Sequence, residues 1–316
     1  MRALMTSTLV VLLAACGAPD EDVPADGWPT VPDAPGPIVL ASGLDSPCGL
    51  ALVGSELYVA DEGSDRIVRV PVAGGEVTEV AVLHGPSYLA AAGDDLVVSQ
   101  RAAGSVSRVR GGEVTELAGG QVSPGRVRTD GDDVFFIVEG AGSDGAIRRV
   151  SIEGGGLTDV ASALATPRSL TVAGGRCYFT ELGTGHIGFV SAHGGELPTR
   201  KTDTRGTPYA VAVDTAASQV YWVEPGTRNG GWVRRGNLDL GTPISVGFTA
   251  PGPRDLVLTG EKVVYATSYT VSASPRGSGA YQDLAVATDA CDLLVDGETV
   301  FWTDRARGQV LAVALE

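Results

Sequence analysis

The chain has 316 residues, 43% of them hydrophobic, and is long enough to bury a sizeable core. Its formal net charge is −15, and the acidic residues are spread along it. Nucleic acid is therefore excluded as an expected partner, because phosphate binding needs clustered lysines and arginines. The 44 glycines, about twice the usual share, mark frequent turns between β-rich runs.

The first sixteen residues have the features of an export signal. Arg2 supplies a positive start, and the apolar run from Leu4 to Leu13 is too short to span a bilayer. The run ends in Leu13-Ala14-Ala15-Cys16, which resembles the lipobox of bacterial lipoproteins. Residues 1–16 are therefore predicted to be a lipoprotein signal peptide, with Cys16 as the lipidated residue. An ordinary secretory signal with a chance cysteine is the alternative.

Residues 17–36 are rich in proline, aspartate and alanine and contain almost no core-forming residues. This composition is typical of a disordered, semi-extended tether. We expect the chain to be held at the membrane by its lipid and to lie in the bacterial cell envelope, on the periplasmic face or the cell surface. An exported chain meets an oxidising compartment, where disulfides persist.

Residues 37–316 contain a repeat. Each unit begins with a small residue followed by proline, and the intervals between units are about 37 to 45 residues, the length of a four-stranded propeller blade. The six such starts are Ser46, Gly85, Ser123, Thr166, Thr207 and Gly252. A seventh unit, at Asp289-Ala290, lacks the proline but keeps the rest of the pattern.

The strands within each unit predict the fold class. The second strand is rich in aromatic residues, and most third and fourth strands meet at a Gly-Gly turn, which suits a tight hairpin. The seventh unit has only three strands, and the segment from Gly36 to Gly43 precedes the first repeat. We therefore predict an all-β, seven-bladed propeller of four-stranded antiparallel blades, whose N-terminal strand completes the last blade. Six or eight blades are the alternatives.

Two runs show a family resemblance that covers nearly the whole repeat region. The run from Phe179 to Gly188, FTELGTGHIG, resembles the repeats of streptogramin lyase-type, NHL and SMP-30-like propellers. The run from Phe301 to Asp304, FWTD, is similar to the repeats of YWTD propellers, which bind proteins. The resemblance implies a propeller and, through its enzyme members, a metal-dependent lyase or lactone hydrolase.

The residues of those enzymes do not transfer to this chain. Streptogramin lyases use a histidine base and a magnesium held by glutamate in late blades. The three histidines here are His84, His186 and His193, and none follows residue 193. His186 lies close to Glu181 in sequence, and we interpret this pair as a surface hydrogen bond. No catalytic residue, metal site or cofactor is predicted.

The last residue of the second strand is acidic in five of the seven units. The seven residues are Asp61, Gln100, Glu139, Glu181, Glu224, Thr267 and Asp304. A ring of carboxylates could hold a cation or a basic ligand. We favour a structural role, in which each carboxylate accepts backbone N–H bonds from a loop or an adjoining blade.

Residues that differ between repeats are better candidates for function. The two positions after the proline enter the innermost strand and should lie at the mouth of the channel. The candidate ligand-binding residues at these positions are Tyr88, Arg126, Arg168, Tyr209, Arg254 and Asp255. Three arginines and two tyrosines near one axis suit an anionic or aromatic ligand. The alternative is that the arginines pair with the acidic strand ends.

The cysteines carry two further predictions. Cys48 and Cys291 occupy equivalent positions in the first and last blades, so ring closure would bring them together as a disulfide. Cys177 lies within an aromatic strand and is expected to be a buried free thiol.

The function that we favour is a monomeric envelope lipoprotein acting as a binding module for a protein, peptide or glycan. The alternative is a metal-dependent lyase or lactone hydrolase at the channel mouth, which would use a divalent metal. A purely structural role in the envelope is the third.

Overall fold

The computed structural model describes residues 36–201, 206–226, 230–249, 251–277 and 281–315. The predicted signal peptide, Cys16 and nearly all of the predicted tether lie outside these residues. The described part of the chain contains no helix that is long and apolar enough to cross a membrane.

The described residues form seven four-stranded antiparallel sheets, the blades. Blade 1 contains β2 (Pro47–Val53), β3 (Glu56–Asp61), β4 (Arg66–Pro71) and β5 (Thr78–Val82). Blade 2 contains β6 (Pro86–Ala92), β7 (Asp95–Gln100), β8 (Ser105–Arg110) and β9 (Glu113–Ala118). Blade 3 contains β10 (Pro124–Asp130), β11 (Asp133–Val138), β12 (Gly145–Ser151) and β13 (Thr158–Leu164). Blade 4 contains β14 (Pro167–Ala173), β15 (Arg176–Glu181), β16 (His186–Ser191) and β17 (Thr199–Lys201). Blade 5 contains β18 (Ala210–Asp214), β19 (Gln219–Pro225), β20 (Gly231–Asn237) and β21 (Ile244–Thr249). Blade 6 contains β22 (Asp255–Leu258), β23 (Lys262–Ala266), β24 (Thr270–Pro275) and β25 (Gln282–Val286). Blade 7 contains β26 (Ala290–Asp296), β27 (Thr299–Asp304), β28 (Gln309–Ala314) and the N-terminal strand β1 (Ile38–Ala41).

The ring closes through blade 7, which draws strands from both ends of the repeat region. Its strand order is β1-β28-β27-β26, and β1 pairs antiparallel with β28, with Ile38 opposite Ala312. The inner strand β2 lies between β6 and β26, so blade 1 contacts both blade 2 and blade 7. The seven-bladed architecture and its N-terminal closing strand are confirmed.

The core lies between neighbouring blades. The aromatic residues of the second strands fill it, and Tyr178, Trp222 and Trp302 are fully buried there. The Gly-Gly turns have the backbone that was expected, since Gly194 and Gly195 both adopt positive φ, at 71° and 83°. Alternation of side chains along each strand thus supplies two adjacent cores from one sheet.

A bulge shapes the beginning of the innermost strand in five blades. The register shifts just after the first residue of β2, β6, β10, β14 and β26. Neighbouring inner strands approach closely at this level: a Cβ atom on Gly49 would lie 2.6 Å from the Tyr88 Cα atom. Thr303 of β27 then ties blade 7 to blade 1, because its hydroxyl donates to the Cys48 carbonyl at 2.6 Å.

A disulfide adds a covalent link at the same level. Cys48 of blade 1 and Cys291 of blade 7 are joined, with their Cα atoms 5.1 Å apart. The bond spans 243 residues of sequence and lies beside the seam where the ring closes. Cys177 is a buried free thiol, as predicted. Burial raises the pKa of that thiol to about 12, so it is protonated and inert at neutral pH.

We expect the double substitution Cys48→Ala and Cys291→Ala to lower the free energy of unfolding by about 2–4 kcal/mol, because the unfolded chain would lose a long covalent loop. Urea unfolding monitored by tryptophan fluorescence would measure the change. Reductant should destabilise the wild type by a similar amount and leave the double variant unaffected. A wild type that is insensitive to reductant, with free thiols at both Cys48 and Cys291 by peptide mapping, would contradict the prediction.

Candidate functional site

A buried ion cluster lies on the channel axis, where the innermost strands begin. Arg126 of β10 is only 5% exposed. Its Nη1 atom lies 3.0 Å from Asp292 Oδ1, and its Nη2 atom lies 3.3 Å from Asp255 Oδ2. These three residues come from blades 3, 6 and 7, so their side chains meet across the ring. We call Arg126, Asp255 and Asp292 the axial ion cluster.

Backbone groups complete the environment of the two carboxylates. The Leu50 N–H donates to Asp292 Oδ2 at 2.9 Å, and the Leu293 N–H donates to Asp255 Oδ2 at 3.2 Å. Burial raises the pKa of Asp292; the Arg126 charge opposes this rise, and the neighbouring Asp255 carboxyl adds to it. Each carboxylate of the cluster therefore has both Arg126 and a backbone N–H as partners. Asp292 holds its proton more tightly than an exposed aspartate does.

Tyr88, Arg168 and Tyr209 form a stack that begins at the Arg126 guanidinium of the cluster. The Arg126 guanidinium lies 4.8 Å from the centroid of the Tyr88 ring. Arg168 lies 6.0 Å from the centroid of the same ring and 5.2 Å from that of Tyr209. Such distances are those of cation–π contacts. Arg126 and Tyr88 are buried, whereas Arg168 and Tyr209 are partly exposed, so the stack leads from the axis to the solvent.

The rim of the mouth carries further ion pairs. Arg101 binds Glu139 with both terminal nitrogens, at 2.6 and 2.7 Å, and Arg168 Nη1 lies 3.8 Å from a Glu139 oxygen. Arg254 lies at a different place: its side chain is 40% exposed, and its Nη2 atom lies 3.8 Å from Asp289 Oδ1. Five of the six candidate residues thus lie together, in the stack or in the axial ion cluster: Tyr88, Arg126, Arg168, Tyr209 and Asp255. The sixth, Arg254, lies apart from them, beside Asp289. Whether these residues bind a ligand stays a prediction.

Two residues of this region were not among the sequence candidates. Asp292 completes the axial ion cluster, and the position two after the usual proline, which it shares with Arg126 and Asp255, could have identified it. Arg128 follows Arg126 by two residues in β10, so the two side chains leave the strand on the same side. Strand alternation alone would have placed Arg128 beside the channel.

The structural role of the acidic strand ends is confirmed at three positions. Asp61 accepts the Asp45 N–H at 2.6 Å, Glu181 accepts the Ala165 N–H at 2.8 Å, and Asp304 accepts the Thr288 N–H at 2.8 Å. Each bond anchors the segment that leads into the blade, which explains why the acid recurs.

The expected hydrogen bond between His186 and Glu181 is wrong. The His186 Nδ1 atom lies 3.7 Å from the Glu181 carboxylate, too far for a hydrogen bond. Arg200 occupies that carboxylate instead, with its Nε atom 2.7 Å from Glu181 Oε2. Glu181 therefore has a complete set of partners without the histidine.

The carboxylates at the axis do not fit a metal centre. No group of three or more His, Cys, Asp and Glu side chains comes together in metal-ligand fashion among the residues that the structure describes. Asp255 and Asp292 face the same guanidinium, whose positive charge occupies the place a cation would take. Both carboxylates therefore act as partners of Arg126.

The sequence matches no protein-family profile, and no curated protein matches it either. Similar solved structures include virginiamycin B lyase from Staphylococcus aureus, with 15% identity, a TM-score of 0.72 and coverage of 89% of this chain and 98% of that one. Hydrazine synthase from Kuenenia stuttgartiensis has 16% identity and a TM-score of 0.71, over 86% of this chain and 96% of that one. A gluconolactonase from Xanthomonas campestris has 13% identity and a TM-score of 0.60, over 89% of each chain.

At these identities the likeness concerns the fold alone. The chain is a seven-bladed β-propeller, and propellers similar to it include streptogramin B lyases and a gluconolactonase. The resemblance found in the repeats therefore holds at the level of architecture. The fold hosts several kinds of protein, so function has to be argued from the site.

Asp292→Asn should change how stability depends on pH. Because the pKa of Asp292 is raised in the folded state, the folded protein retains this proton after the unfolded chain has released it. As the pH rises from about 4 to about 7, the free energy of unfolding of the wild type should therefore fall by about 1–2 kcal/mol relative to that of Asp292→Asn. Urea unfolding at several pH values would measure this difference.

Asp94→Asn is the matched control, since Asp94 is exposed, and its curve should run parallel to that of the wild type. The comparison is between slopes, so a constant stability offset caused by either substitution does not affect it. Parallel curves for Asp292→Asn and the wild type would contradict the prediction.

Proposed function

We propose that the chain is a lipid-anchored protein of the bacterial cell envelope whose propeller binds a protein, peptide or glycan at the mouth of its channel. The observation that supports this proposal is the division of charge at the mouth. The deep groups, Arg126, Asp255 and Asp292, satisfy each other. Arg168 and Tyr209 remain partly exposed above them on a rigid stack.

These two side chains suit recognition rather than bond chemistry. Arginine and tyrosine are enriched among residues that dominate binding energy, and stacking fixes both before a ligand arrives. The Arg168 guanidinium offers donors for a carboxylate, while the Tyr209 ring offers a flat apolar surface for an aromatic ring or a sugar face. The loops between second and third strands reach the same face and vary in length, which suits a binding surface.

The proposed anchor depends on the sequence features of residues 1–36. The lipobox-like end at Cys16 would provide acylation, and the polar segment after it would separate the propeller from the membrane. The Cys48–Cys291 disulfide supports export, because such bonds persist mainly outside the reducing cytosol.

A metal-dependent lyase or lactone hydrolase is the second candidate. The fold shared with virginiamycin B lyase and a gluconolactonase favours it. The pairing of both axial carboxylates with Arg126 weighs against it, since a cation at the axis would have to displace or repel that guanidinium. A purely structural role in the envelope is the third.

Cys16→Ala tests the anchor. The wild type should remain with the membrane fraction after high-salt washing and enter solution only with detergent, because an acyl chain holds it by hydrophobic contact. The variant should appear in the soluble envelope fraction, and mass spectrometry should show the lipid mass on the wild type alone. Equal distribution of both proteins, with no lipid mass, would contradict the anchor.

Arg168→Ala and Tyr209→Ala test the binding surface. The purified protein would be applied to arrays of acidic and neutral peptides and of acidic and neutral glycans. Each substitution should weaken wild-type binding by about tenfold or more, because it removes an accessible anchor residue. Arg69→Ala, at an exposed position of β4, is the control and should bind as the wild type does.

Binding that is equal in all four proteins would contradict a site at the mouth. No binding to any array, combined with a large rise in melting temperature on adding Mg²⁺ or Ca²⁺, would favour the metal-dependent alternative.

A further inference from the structure

A cavity of about 340 Å³ lies among the inner strands of four adjacent blades, β26, β2, β6 and β10. The residues that line it follow the bulge, so the cavity lies beyond the axial ion cluster, away from the mouth. Nine of the twelve residues that line it are aliphatic, and Leu52, Ala90 and Leu294 are partly exposed there. Its polar side chains are Arg128, Thr129 and Asp292. The cavity therefore offers a ligand both aliphatic side chains and polar groups.

The three polar side chains differ in what they have left to bind. The Thr129 hydroxyl donates to the Ala91 carbonyl at 2.7 Å. Asp292 uses one oxygen for Arg126 and the other for the Leu50 N–H. Arg128 donates one hydrogen bond, from Nη1 to the Val127 carbonyl at 2.9 Å. Within the described residues, no carboxylate oxygen lies within 4.0 Å of its guanidinium.

Arg128 is a charged group with an incomplete environment. Burial lowers its pKa to about 10, and the positive charge of Arg126 contributes to the shift. The side chain is still charged at neutral pH, and it has lost part of its hydration without gaining an ion pair. An anion placed in the cavity would supply that pair.

The surroundings define the class of anion. Asp255 and Asp292 lie near Arg128, so a doubly charged group would meet more repulsion than a single charge. A carboxylate carries one charge and matches the planar donor fork of arginine. The aliphatic walls require an apolar body, and the cavity volume is near the lower end of the range for small-molecule sites.

We propose that this cavity binds a small amphiphilic carboxylate, with its head group on Arg128 and its aliphatic chain against Leu52, Ala90 and Leu294. The site is separate from the mouth: it does not use Arg168 or Tyr209, and it is independent of the proposed envelope binding function.

Calorimetric titration of the purified protein with acetate, butanoate, hexanoate, octanoate and octan-1-ol tests this assignment. Affinity should rise about fourfold for each added methylene group that the walls bury. Octanoate should bind at least tenfold more tightly than octan-1-ol, because only the carboxylate pairs with Arg128.

Arg128→Gln should reduce octanoate affinity to that of octan-1-ol and leave octan-1-ol binding unchanged. Arg149→Gln is the matched control, because Arg149 lies in β12 of the same blade, does not line the cavity and pairs with Asp133. It should bind octanoate as the wild type does. Wild-type octanoate affinity in Arg128→Gln would overturn the assignment of the head group.

A second variant tests the cavity itself without removing a charge. Ala90 lies in the cavity wall and is partly exposed, so Ala90→Leu should fill the space and weaken octanoate and octan-1-ol together by about tenfold or more. Octanoate binding that is no tighter than acetate binding, or that is unchanged in Ala90→Leu, would overturn the proposal even if Arg128→Gln failed to fold.

Discussion

The pairing of Arg126 with Asp255 and Asp292 is the constraint on which the centre of this propeller depends. Seven inner strands that converge on one axis leave a space that side chains must fill. Here the filling is charged, and a buried charge is tolerated only when it is paired and hydrogen-bonded. Arg126 reaches from blade 3 to acids of blades 6 and 7, and those acids also hold backbone N–H groups of neighbouring inner strands. One cluster thus fixes the relative positions of several blades.

This arrangement separates the channel into regions with different chemistry. Near the mouth, the stack formed by Tyr88, Arg168 and Tyr209 joins a buried end to an exposed one. Beyond the cluster, most of the lining residues are aliphatic, and the Arg128 guanidinium has no carboxylate oxygen within 4.0 Å among the described residues. A ligand at the mouth or in the cavity beyond the cluster would contact side chains in fixed positions, because the axial ion cluster ties together the inner strands that carry them. The two proposed sites can therefore coexist without sharing a residue.

The sequence predicted the architecture because the fold repeats its local signals seven times. A proline, an aromatic strand and a Gly-Gly turn recur at blade spacing, and the strand count required β1 to complete blade 7. The site was only partly predictable. The position after each proline indicated which residues, such as Arg126, approach the axis, but pairing across the ring depends on the three-dimensional distances between blades. Arg128 was missed because the comparison of repeats ended two residues after the proline, whereas strand alternation continues.

Arg254 shows the limit of equating repeats. It precedes Asp255, the first residue of β22, but lies outside the strand and faces Asp289, so only Asp255 joins the axial ion cluster. At the seam between blades 1 and 7, residues at equivalent positions of the repeat also have different roles from those in the other blades. Blade 7 must be assembled from segments separated by most of the chain, and the entropy cost of closing that loop falls on its contacts with blade 1. The Cys48–Cys291 disulfide, the hydroxyl bond from Thr303 and an ion pair between Arg305 and Glu62 all join these two blades. The cysteines that break the repeat at the seam thus reinforce the ring where the chain closes it, while Arg168 and Tyr209, which break it elsewhere, stay partly exposed.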